Sequence, residues 1–179
     1  MSDSAKTSRF EEIIMPHLSA AYTMARWMTR HPEDANDIVQ EAAIRAFRFF
    51  ESYHGGSAKA WLLTIVRNTG YTWLRQNRAH DIDRTIEDDT FDIPDRAPGP
   101  EEKMIQSANQ ELIRKAMENI PLEFREIVVL RDLEGFSYKE IIDITGLPMG
   151  TVMSRLSRAR NRIQKDVLGR VGKEFEREL

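Results

Sequence analysis

Residues 137–165, SYKEIIDITGLPMGTVMSRLSRARNRIQK, constrain the fold more tightly than any other stretch. Ser137 and Glu140 stand at capping-box spacing, so the hydroxyl can accept from a first-turn amide while the carboxylate reaches back to the cap amide. Ile141, Ile144 and Thr145 give a short apolar face, and Gly146 falls where a helix ends in a left-handed residue. A second helix is predicted after Leu147-Pro148, from Met149 to Lys165. At 100° per residue, Val152, Leu156, Ala159 and Ile163 form one narrow apolar stripe. Thr151, Arg155, Arg158 and Arg162 flank it, and Ser154, Ser157 and Asn161 lie opposite. Five Lys/Arg and no acid occur between Met149 and Lys165. A helix held on one side and lined with hydroxyl, amide and guanidinium groups on the other suits the DNA major groove. There Arg reads guanine, Ser and Asn reach base edges, and further Arg hold phosphates. A solvated surface helix would usually mix the signs of its charges.

A net charge of −3 over 179 residues looks wrong for a nucleic-acid binder until it is divided along the chain. Residues 81–111 carry ten acids against three bases, whereas 1–80 and 112–179 are each net +2. The chain is long enough for one domain or two small ones, each with a modest core. No apolar run reaches membrane-spanning length and MSDSAKTSRF lacks a secretory signal's apolar segment, so a soluble, cytoplasmic protein is expected. With no cysteine, thiolate chemistry and disulfides are excluded.

Read in order, Phe10 to Met28 has helical apolar spacing interrupted at Pro16, which predicts a kink or restart. His31-Pro32-Glu33-Asp34 opens a second helix running to about Phe50. Ala35, Ile38, Val39, Ala42, Ala46, Phe49 and Phe50 make its predicted buried face, with Asp37, Gln40, Glu41, Ile44 and Arg48 opposite. An apolar Ile44 amid acids suggests a protein contact. The loop Glu51 to Ser57 carries paired glycines beside Tyr53 and His54. A third helix is predicted from Ala58 to Arg78, buried along Ala58, Leu62, Ile65, Val66, Thr69 and Trp73. Its far side, Thr64, Arg67, Asn68, Tyr71, Arg75 and Arg78, contains no acid and suits single-stranded nucleic acid.

Asp81 to Glu102 lacks any period, is rich in acids and proline, and reads as a flexible linker. Helix is predicted to resume near Ile105 and end at Ile120-Pro121. A further helix, Leu122 to Asp132, is predicted to bury Phe124, Ile127, Val128 and either Leu130 or the stem of Arg131. Beyond Val167 the mixed-charge tail is expected to fray.

This order of helices, linker and helix-turn-helix resembles the bacterial sigma factors of the extracytoplasmic-function (ECF) group, in the sigma-70 superfamily. Asp34-Ala-Asn-Asp-Ile-Val-Gln-Glu41-Ala is similar to their core-polymerase-binding helix. Ala60-Trp-Leu-Leu-Thr-Ile-Val-Arg-Asn68 resembles their promoter-melting helix. Leu130-Arg-Asp-Leu-Glu-Gly-Phe-Ser-Tyr-Lys-Glu140-Ile, with Gly150-Thr-Val-Met-Ser-Arg155, resembles their second DNA-binding domain. The likeness covers nearly the whole chain. It departs at Tyr53-His54-Gly55, where relatives often have Phe-Arg-Gly, at Ile142, where alanine is usual, and at Met153, where many relatives are basic.

The resemblance implies an all-α chain of two small helical domains. An N-terminal domain, 1–80, binds core polymerase and melts the minus-ten element. An acidic, proline-containing linker, 81–104, threads toward the RNA exit path. A four-helix C-terminal domain, 105–179, reads the minus-thirty-five element. By the same likeness, Asp34, Asp37, Gln40, Glu41 and Ile44 face the clamp helices of the largest polymerase subunit. Tyr53, His54, Lys59, Arg67, Asn68, Tyr71 and Arg75 contact minus-ten DNA, where an unpaired base is captured. Thr151, Ser154, Arg155, Ser157, Arg158 and Arg162 contact minus-thirty-five DNA. An anti-sigma protein is a further implied partner.

Two other classes of regulator share parts of this pattern. A sigma-like decoy that only titrates an anti-sigma factor would have lost the charge of its DNA-facing helix, which is retained here. A stand-alone helix-turn-helix regulator would not need the acid-faced second helix or the aromatic and basic third one. No enzyme, cofactor or metal is expected. His17, His31, His54 and His80 stand apart from metal-ligand spacings, and no glycine-rich phosphate loop or nucleophile motif occurs.

Overall fold

The structure, a computed structural model, describes the backbone of residues 3–77 and 100–178, with side chains over 4–77 and 108–173. The proposed linker lies mostly outside the described residues, as does Arg78. All regular structure among the described residues is helical.

Helix α1 (Asp3–Ile14) gives way to a 3-10 turn at Met15–His17, and α2 (Leu18–Thr29) restarts the path. The break falls at Pro16, which cannot continue an i→i−4 ladder. Arg30 ends α2 in the left-handed region at φ 64, the only described residue other than glycine with positive φ. Its amide returns to the Arg26 carbonyl at 2.9 Å, and α3 (Pro32–Arg48) follows with proline in the first turn and acids beside the positive helix end. Helix α4 (Ala58–Asn77) completes the N-terminal unit by packing on both α2 and α3. Gly70 permits this approach, because a Cβ there would lie 2.6 Å from Met28 Cε.

The C-terminal unit holds α5 (Pro100–Glu118), α6 (Leu122–Val128), α7 (Tyr138–Thr145) and α8 (Met149–Glu178). Helix α5 therefore starts five residues ahead of the Ile105 expected from periodicity. A π-helical segment, Val129–Leu133, extends α6, with the Glu134 amide bonded to the Val129 carbonyl at 2.9 Å. The capping box is present: Ser137 Oγ accepts from the Glu140 amide at 3.2 Å, and Glu140 Oε2 accepts from the Ser137 amide at 2.9 Å. Gly146 ends α7 at φ 70. The tail does not fray after Val167; α8 continues as helix, supported by the i,i+4 pair of Arg170 with Asp166 at 2.8 Å.

Buried apolar residues from both units form one continuous cluster, running from Phe10 and Ile14 through Leu62 and Leu63 to Ile127, Val152 and Ala159. Val152, Leu156 and Ala159 are fully buried as the stripe predicts, and Ile163 is partly so. Phe49 departs from its predicted buried face. It is 57% exposed, because α3 has ended at Arg48 and the chain turns into a short 3-10 segment that buries Phe50 instead.

Candidate nucleic-acid interface

Helix α3 presents Asp37, Gln40, Glu41 and Ile44 to solvent on one face, with Ile44 56% exposed and Glu41 paired to Arg45 at 2.7 Å. Asp34 does not join them. It is 6% exposed, since the first turn of α3 is folded in beside Ala35. The acidic face grouped by the sequence thus begins at Asp37.

The loop before α4 is built by Gly55 and Gly56, both at positive φ. Tyr53 is partly buried and packs on Phe50 and Trp61, with ring centroids 6.1 and 5.4 Å away. Its hydroxyl donates to the Gly56 carbonyl at 2.8 Å, so the phenol buttresses the loop, while His54 is exposed. Helix α4 divides the remaining candidates. Asn68 and Arg75 are exposed. Lys59, Leu63, Arg67 and Tyr71 follow one another at i,i+4 spacing and form a second inward row, turned toward the C-terminal unit. Lys59 Nζ pairs with Glu134 at 2.8 Å, donates to its carbonyl at 3.0 Å and lies 5.1 Å from the Phe136 ring centre.

Arg67 makes a two-pronged contact with Glu126 of α6, Nε to Oε2 at 2.8 Å and Nη2 to Oε1 at 3.2 Å. The Glu126 side chain is wholly buried. The Arg67 guanidinium also sits 4.7 Å over the Tyr71 ring. Burial works against the Arg67 charge, but the Glu126 carboxylate outweighs it and holds the guanidinium above its ordinary range. Burial, and then the same carboxylate, push the Tyr71 phenol up.

On α8, Ser154, Ser157, Arg158 and Arg162 are exposed, and Thr151 and Arg155 are half-buried. Arg162 lies 4.8 Å over the Phe124 ring, which supports the guanidinium without neutralising it. Arg155 leans inward and its Nη1 comes to 3.8 Å of Glu126 Oε1. Glu126 therefore faces Arg67 and Tyr71 of one candidate surface and Arg155 of the other. Residue order alone assigns this carboxylate no role, since an acid on a short helix reads as solvated. Its only signal was position, directly before Ile127 and Val128 and one turn after Leu122.

Residues 13–80 match the family model described as Sigma-70 region 2, and residues 110–163 match that described as Sigma-70, region 4. Among curated proteins, the chain is similar to the ECF RNA polymerase sigma-E factor of Escherichia coli (strain K12), 36% identical over 142 residues, covering 75% of this chain and 74% of that protein. It is 34% identical over 151 residues to the ECF RNA polymerase sigma-E factor of Haemophilus influenzae, covering 80% of this chain and 79% of the relative. With the ECF RNA polymerase sigma factor SigE of Mycolicibacterium smegmatis it shares 32% identity over 163 residues, 90% of this chain but only 63% of that longer protein. Among solved structures, it is similar to the sigma factor RpoE from Bartonella quintana, determined in complex with the anti-sigma factor NepR. That likeness has TM-score 0.72 and 28% identity, and covers 89% of this chain and 96% of the other. The chain belongs to the ECF RNA polymerase sigma factors of the sigma-70 family.

Proposed function

We propose that the chain is an alternative sigma factor, binding core RNA polymerase in the cytoplasm, directing it to a class of promoters and helping to open them. The observation that carries this reading is the outer surface of α8. Ser154, Ser157 and Arg158 stand free of the core while Val152, Leu156 and Ala159 anchor the opposite face. That arrangement suits insertion into a major groove. The exposed acids of α3, with Ile44 among them, fit a basic and apolar protein partner, which we assign to the clamp helices of the largest polymerase subunit. Exposed Asn68 and Arg75 with the His54 loop fit an unpaired strand.

Alone, each surface offers a few cations and little area. Held by polymerase at a fixed separation, the second contact becomes effectively intramolecular. Capture of an unpaired base then offsets the few kcal/mol needed to unstack it. Control by an anti-sigma protein is supported by likeness to a sigma factor solved with one. The test is run-off transcription with purified core polymerase over a panel of promoters. Promoter-dependent transcripts are expected, and none from any template would overturn the reading.

A further inference from the structure

The most unusual group outside the exposed surfaces is the Glu126 carboxylate, fully buried and surrounded by cations that belong to two different candidate DNA surfaces. Buried acids require compensation, and Glu126 receives it from Arg67, 59 positions earlier in the chain, with Arg155 beyond at 3.8 Å. A carboxylate presents the two-pronged acceptor geometry that guanidinium groups also find on phosphate and on guanine. Lys59 is occupied in the same way by Glu134, on the same side of α4. Three residues assigned to unpaired DNA, Lys59, Arg67 and Tyr71, and one assigned to duplex DNA, Arg155, are thus turned toward the seam between the two units.

We propose that Glu126 is an internal stand-in for nucleic acid: it latches the free chain closed through Arg67 of the N-terminal unit while occupying Arg155 of its own unit. The proposal rests on the sigma-factor reading given above. The same guanidinium cannot satisfy Glu126 and a DNA strand at once, so opening the seam and loading DNA are one competition. A closed fraction lowers the apparent affinity of free protein for DNA in proportion, and docking both units on polymerase removes that penalty. The apolar cluster that runs through the seam favours closure in any pairing, and the Glu126 contact is its charged, exchangeable part.

The absence of native cysteine makes the test direct. Cysteines introduced at the exposed positions Ser19 and Asp143, one in each unit, would carry spin labels on the full-length chain. Wild type should give one narrow distance distribution. Glu126→Gln and, separately, Arg67→Gln should each give a broader and longer one, with circular dichroism establishing that each is folded. Should Glu126→Gln fail to fold, Arg67→Gln decides, because Arg67 lies outside the C-terminal unit. Without polymerase, Glu126→Gln should bind a mixed-sequence duplex carrying a short unpaired bubble about tenfold more tightly than wild type. Unchanged distances in the folded variants would overturn the latch. If wild type still supported run-off transcription, the sigma-factor reading would survive that loss. Distances that respond, in a protein that binds neither bubble DNA nor core polymerase, would overturn both.

Discussion

Arg125 Nη1 donates to the Trp27 carbonyl at 2.7 Å, joining residues 98 positions apart. The rest of the guanidinium is spent on the end of α5, with Nε on the Met117 carbonyl at 2.9 Å and Nη2 on Ile120 at 2.8 Å and Glu118 at 3.1 Å. Each of these four partners is a backbone carbonyl, so a single cation satisfies orphan acceptors at the C-terminal ends of two helices. Burial, and then the nearby Arg30 charge, pull this guanidinium down to about 10, which leaves it charged at neutral pH. Arg30 itself reaches the Glu118 carbonyl, so two arginines close one helix end.

Arg125→Met keeps much of the apolar stem but strands these carbonyls in a buried seam. A loss of about 3 kcal/mol is expected, from unpaired buried acceptors and a lost charged donor. Urea unfolding followed by circular dichroism measures it, and Arg125→Lys should recover less than half, because one ammonium cannot span both helix ends.

Acid should weaken the fold through depressed carboxylates. Hydrogen bonds from the Ser137 amide and hydroxyl hold Glu140 below the usual carboxylate range, and Arg114 takes Glu111 down to about 2. A carboxyl lower in the folded chain than in the unfolded one stabilises above the unfolded value, near 4.5. That contribution fades as pH falls from there toward about 2. Ser137→Ala should cost about 1 kcal/mol at pH 7 and shrink the difference in stability between pH 7 and pH 3.

Reversing charge on the outer face of α3, with Asp37→Lys and Glu41→Lys together, should abolish copurification with core polymerase. Both residues are exposed, so the double variant should keep wild-type thermal stability within about 0.5 kcal/mol. Continued copurification would place the polymerase contact elsewhere.

Arg158→Ala is expected to weaken recognition of the upstream promoter duplex by about 1–3 kcal/mol, the worth of a two-pronged base contact. Fluorescence anisotropy of holoenzyme on a promoter series reads both the loss and any relaxation at one base position. A uniform loss across sequences would make Arg158 a phosphate contact instead.

Asn68→Ala separates recruitment from opening. Holoenzyme should still occupy the duplex promoter, while permanganate reactivity of the melted strand falls. Since Asn68 is exposed, protein stability serves as the control and should not change.

Much of this molecule is legible from residue order. The Ser137 cap, the Gly146 stop, the break at Pro16 and the Val152 stripe all depend on local stereochemistry, and each appears where its residues require. What periodicity missed has one physical origin. A helical wheel assigns one buried face per helix, whereas α4 and α6 stand between two units and bury more than one. Leu63, Arg67 and Tyr71 form a second inward row, and Arg125 through Leu130 are buried without interruption. Nothing in the periodicity marks Arg125 and Glu126 for burial, because Trp27 and Arg67, which meet them across the seam, lie 98 and 59 positions away. Asp34 is misread similarly, since an N-terminal acid suits a helix whether it points outward or in.

Helix α8 spans 30 residues, on the order of 45 Å, without a break. The turns that expose Ser154, Ser157 and Arg158 share a single rigid rod with turns that lean on the end of α5, where Asn119 Nδ2 donates to Asp166 Oδ2 at 2.8 Å. Arg158 and Asp166 lie two turns apart on this rod, so the exposed face around Arg158 has no hinge of its own. On the proposed reading, the angle at which that face would meet a groove is set from behind, as a rudder is set by its tiller. A partner that tilts α5 by a few degrees would steer the Arg158 end without touching DNA.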